Sequence, residues 1–75
     1  MIDAEKWTWI IDKNDMTCKN AENNVVVKMY PEDGTVKGKL KDMPIELFGK
    51  IAGLESGEKI IMQIVKAAEE EYSKQ

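Results

Sequence analysis

The stretch Val36-Lys37-Gly38-Lys39-Leu40-Lys41-Asp42-Met43-Pro44-Ile45-Glu46-Leu47-Phe48 changes its hydrophobic period part-way along. From 36 to 41, apolar or small residues alternate with lysines, the period of two that gives a strand one buried and one solvated face. From Pro44 onward the spacing becomes helical: Ile45, Phe48 and Ile51/Ala52 recur at three and four residues, and Leu47 pairs with Ile51. Proline suits the first helical position, with Asp42 just upstream and Glu46 in the first turn. Strands therefore precede this point and helices follow it, which predicts an α+β fold.

Upstream, the same alternation predicts three more strands. Trp7, Trp9 and Ile11 share one parity, Met16 and Cys18 alternate with Thr17 and Lys19, and Val25 to Tyr30 is rich in β-branched residues. The expected strands are about 7–12, 15–19, 25–30 and 35–41. Between them lie Asp12-Lys13-Asn14-Asp15, Asn20-Ala21-Glu22-Asn23-Asn24 and Tyr30-Pro31-Glu32-Asp33-Gly34-Thr35. Asn, Asp and Gly accept left-handed backbone, and Pro31 presets φ for a turn. Connections this short exclude crossover helices, so the sheet is an antiparallel meander of four strands, or of three. Gly38 marks a bulge or a close approach to another element.

Downstream, helices are expected at about 44–53 and 57–72. Gly53 reads as a left-handed stop and Ser56 as the cap of the second helix. That helix carries the apolar stripe Ile60, Ile61, Ile64, Val65, Ala68 and Tyr72, with Lys59, Gln63, Lys66, Glu69 and Glu70 opposite. Gly49 weakens the first helix. The layout is one small domain, 1–75, with both helices packed on one sheet face over Trp7, Trp9, Ile11, Met16, Cys18, Val25, Val27, Met29, Val36 and Leu40. Thr8, Ile10, Thr17, Lys19, Val26, Lys28, Tyr30, Lys37, Lys39 and Lys41 then show on the other face.

Composition limits the chemistry. The chain of 75 residues has no histidine and no arginine, and its one cysteine is Cys18. Histidine is the side chain that titrates near neutrality unaided, and Ser56 and Ser73 have none to activate them. A single cysteine makes no internal disulfide and no thiolate cluster; on the apolar parity of a strand it reads as a buried small hydrophobe. Asp12-Lys13-Asn14-Asp15 lacks the glycine and closing glutamate of a calcium loop. No enzymatic activity, metal or cofactor is expected. One cysteine fits a reducing compartment, no apolar run approaches the roughly 20 residues that span a bilayer, and the start has no basic and apolar leader. A cytoplasmic protein with no membrane partner is expected.

Net charge is −3, all of it carried by residues 42–75. Two surfaces carry functional character. Lys28, Tyr30, Lys37, Lys39 and Lys41, with Lys19 nearby, make a basic stripe that suits a phosphate backbone, although the same lysines also serve to solvate the sheet and guard its edge. Trp7 and Trp9 are core if buried and an interface if exposed. Glu69-Glu70-Glu71 reads as a solvated helix face. So small a domain often completes its core with a subunit interface. The surplus of bulky residues for one is Trp7, Trp9, Ile10, Tyr30, Phe48, Met62 and Tyr72. The expected function is a regulatory or protein-interaction domain that forms a homodimer or binds another protein; the alternative is single-stranded nucleic-acid binding on the lysine face.

Overall fold

The computed structural model describes residues 2–74. A 3-10 turn at Ala4–Lys6 leads into four strands, β1 (Ile10–Asp12), β2 (Thr17–Asn20), β3 (Val25–Glu32) and β4 (Thr35–Asp42), then helices α1 (Ile45–Ala52) and α2 (Gly57–Lys74). The strands form one antiparallel sheet in the order β1-β2-β3-β4. The architecture is therefore α+β, as the change of period predicts.

Several boundaries move for physical reasons. Residues 7–9 lie outside the ladder, whereas the sequence places them in the first strand. Ile10 pairs with Lys19, so Trp9 and Thr8 would need partners at and beyond Asn20, where β2 ends. The buried Asn20 amide instead donates to the Thr8 carbonyl at 3.0 Å. Met16 belongs to the first turn, with φ of 55°, and not to a strand. Pro31 lies in β3 opposite Val36 and not in the turn. Met29 N–H donates toward the β2 side, to the Met16 carbonyl. Pro31, two residues on, faces that side beyond the start of β2, so its missing N–H removes no ladder bond. The β3–β4 turn shrinks to Asp33 and Gly34, both at positive φ, as a two-residue hairpin requires.

The two possibilities at Gly38 separate. The register shift lies between Val26 and Val27, where Lys41 is the extra residue on β4. Gly38 is the close approach: a Cβ there would meet Val27 at 3.0 Å and Val65 of α2 at 3.1 Å. Gly53 closes α1 in the right-handed region, φ −78°, and not in the left-handed one.

One sheet face is buried. Cys18, Val25, Val27 and Met29 from the strands meet Ile60, Ile64, Ala68 and Tyr72 of α2, with Ala4, Trp9 and Ile51 completing the core. α2 makes most of the helical contact with the sheet, and α1 packs chiefly against α2 while adding Ile51 to the same core. Glu69, expected on the solvated side of α2, turns inward and accepts the Gly38 N–H at 2.7 Å.

Two glycines test the helix junction with opposite signs. A Cβ on Gly57 would sit 2.6 Å from the Ile51 carbonyl oxygen, whereas one on Gly49 meets nothing within 4 Å. Gly57→Ala is expected to lose about 1–3 kcal/mol through overpacking. Gly49→Ala should gain up to about 1 kcal/mol through helix propensity. Urea denaturation of the two variants checks both signs.

Candidate functional site

Two surfaces have geometry beyond that of an ordinary solvated exterior. The first is the outer face of α1. Leu47 is half-buried and Ile51 fully buried, so this side of the helix faces the core. Ile45, Phe48 and Ala52 lie on the other side, at the same helical spacing, and Ile45 is 89% exposed. A hollow of about 470 Å³ lies beside them, lined by Phe48, Ala52, Leu54 and Ile61 with Glu58 and Lys59 at its rim. Exposed Met62 follows Glu58 by one turn of α2. Of the bulky residues expected to be spare, Trp9 and Tyr72 are buried and Trp7 is half-buried, which leaves Ile10, Tyr30, Phe48 and Met62. Ile45 was not among them, yet it is the most exposed of the large apolar residues.

The second surface is the uncovered face of the sheet. Register brings the candidate residues together: Lys28 faces Lys39, Tyr30 faces Lys37, and Thr17 faces Lys28. Tyr30, Lys37, Lys39 and Lys41 are exposed and Lys28 is half-buried. Lys39 Nζ sits 5.5 Å from the centre of the Tyr30 ring. Lys28 Nζ donates to the Asp15 carbonyl. The only ion pairs among the described residues are Lys6–Asp3 and Lys74–Glu71, so the sheet-face lysines have no carboxylate partner. A hollow of about 380 Å³ opens among Thr17, Lys19, Lys28 and Lys41, with Asp15 and Asp42 also on its wall. Thr17 is 4% exposed, and its hydroxyl has no hydrogen-bond partner. Its parity showed in the sequence; its isolation did not.

The tryptophans serve the core: Trp9 is 9% exposed, and its ring lies 5.8 Å from that of Trp7. A third hollow, about 720 Å³, borders Lys13, Val36, Glu69 and Tyr72. Its polar groups already hold the fold together. Lys13 Nζ donates to the Tyr72 carbonyl at 2.9 Å and lies 3.7 Å from the ring centre, while Glu69 binds Gly38. Among the described residues no three carboxylate or thiol groups converge as they would on a metal ion, and no helix is long and apolar enough to cross a membrane. Compared with known proteins, the chain matches no described family, no curated protein and no solved structure.

Cys18 is fully buried, and its thiol donates to the Ala68 carbonyl at 3.5 Å. Burial pushes its pKa up from an ordinary 9.0 to about 11; the Lys13 charge pulls it back and Glu71 adds to the rise. The folded value lies above the unfolded one. The thiol's contribution to stability is therefore intact below pH 9.0 and is lost as pH rises toward about 11. The urea midpoint should fall across that window, and fall less steeply in Cys18→Ala; equal slopes would count against a shielded thiol. A thiol reagent near neutral pH should leave the folded protein unmodified and label it on unfolding.

Proposed function

We propose that the chain is a non-enzymatic interaction domain that pairs with a second copy of itself through the outer face of α1. The observation that carries this reading is the exposure of Ile45 and Phe48 on a helix whose other side is already seated in the core. A helix apolar on both sides has its lowest free energy between two partners, and here the protein itself supplies one.

Surface area supports the same reading. The folded chain exposes 5508 Å². A compact monomer of its 8.5 kDa mass is expected to expose roughly 4,650 Å². The excess, roughly 850 Å², leaves surface for a partner to cover. Charge at the rim favours a copy of the chain over an anionic lipid surface. Glu46, Glu55 and Glu58 alternate there with Lys50 and Lys59, so a twofold arrangement can set opposite charges against each other. A buried, protonated thiol suits a domain that works in a reducing compartment, and a cytoplasmic location belongs to this proposal.

Sedimentation equilibrium tests the pairing. The unmodified protein is expected to dimerise in the micromolar range. Phe48→Glu combined with Ile45→Glu should be monomeric, because like charges on each face would meet across the interface and be buried unpaired. Both side chains are exposed in the monomer, so the double variant should keep its helical circular dichroism. A wild-type protein that stays monomeric at several hundred micromolar would refute the proposal.

A further inference from the structure

We propose that the hollow over Thr17 on the open sheet face is a binding site for a phosphate group. Thr17 is the one residue on that face whose chemistry the folded chain leaves unfinished. Its hydroxyl is buried without a partner, and an unsatisfied buried polar group costs stability. Valine has the same shape and would avoid that cost, and the chain places valine freely elsewhere in the sheet, at 25, 26 and 27. A hydroxyl at this point therefore has no protein partner to account for it.

The surroundings supply one. Three ammonium groups, those of Lys19, Lys28 and Lys41, line the same hollow against two carboxylates, those of Asp15 and Asp42, leaving one net positive charge. Lys28 also stands directly across from Lys39, and like charges so placed on a sheet repel. An anion seated between strands relieves that repulsion. Lys28 is the movable part. It starts opposite Thr17 and reaches back to the Asp15 carbonyl, a neutral partner, which carries its stem across the mouth of the hollow that Thr17 lines. When the ammonium swings onto an anion the mouth opens and the threonine hydroxyl becomes a donor, as the lysines are. A phosphate has enough acceptor oxygens to take all four donors at once. Tyr30 and Lys37 continue the face along β3 and β4, so the same site has room for a free phosphate or for one link of a single-stranded nucleic acid.

Amide chemical shifts of the full chain, titrated with inorganic phosphate and with chloride at equal ionic strength, test the site. Phosphate alone should produce saturable shifts at Thr17, Lys19, Lys28 and Lys41. Lys28→Met should weaken the midpoint roughly tenfold, the value of one charged hydrogen bond, and Thr17→Val several-fold. In phosphate-free buffer Thr17→Val should raise the urea midpoint, because the orphan hydroxyl is gone. Affinity and stability thus move in opposite directions, which a purely structural threonine does not produce. A short oligothymidylate in a parallel titration separates the sources. A lower midpoint with shifts spreading to Tyr30 and Lys37 indicates a phosphodiester chain, and a response to inorganic phosphate alone indicates a free phosphate. The proposal is overturned by shifts that match those in chloride, by an unchanged midpoint in either variant, or by a loss of stability in phosphate-free Thr17→Val.

Discussion

Ile60, Ile64, Ala68 and Tyr72 recur every fourth residue along α2, and the stripe they make is laid against one face of the sheet. The two surfaces match in length: eighteen helical residues span about 27 Å, and an eight-residue strand such as β3 or β4 spans about the same. They do not match in width. The outer strands of a four-stranded sheet lie about 14 Å apart, and one helix is about 10 Å across. α2 lies chiefly over β4 and against the 3-10 turn at Ala4–Lys6. That turn and Trp9 fill the remaining core, which is why the tryptophans are packing residues in this chain. Gly38 allows the approach to be close, and Glu69 secures it by accepting the Gly38 N–H.

Once that face is filled, no second helix has room on it. α1 is left to pack on α2 with one edge only, and Ile45 and Phe48 stay in solvent. The opposite sheet face stays uncovered as well, because both helices follow β4 and neither crosses to that side. The two surfaces differ in kind. One is apolar and suits a broad, dry contact; the other is polar and cationic and suits a small charged group. They come from different elements, so occupation of one leaves the other free.

Much of this was readable from local pattern. The change of period at Asp42–Pro44, the parity of Cys18, Val25, Val27 and Met29, and the turns at Asn24 and Asp33–Gly34 depend on near neighbours only, and the structure keeps them. The lysine face was readable for the same reason, since strand parity is a local property. What failed to show depends on partners distant in sequence. Trp7 to Trp9 alternate like a strand, yet β2 stops at Asn20 and offers them no ladder. Met16 has strand parity, yet closure of the hairpin forces it to positive φ. Glu69 looks solvated until Gly38 arrives thirty-one residues away in the chain. Both parts of the proposed phosphate site were on the predicted face, but only the β2–β3 register sets Lys28 opposite Thr17.

The amino-acid order by itself determined the α+β class, the antiparallel meander, the inward side of each strand and the apolar stripe of α2, because each follows from a repeat of two or from helical spacing. It also excluded an internal disulfide, since there is one cysteine. Tertiary structure decided which apolar residues are left over. Ile45 and Leu47 are equally apolar and stand two positions apart, so on a helix they lie on nearly opposite sides. Which side is buried depends on where α1 meets α2, and that is set by how much of the sheet α2 and the tryptophans already cover.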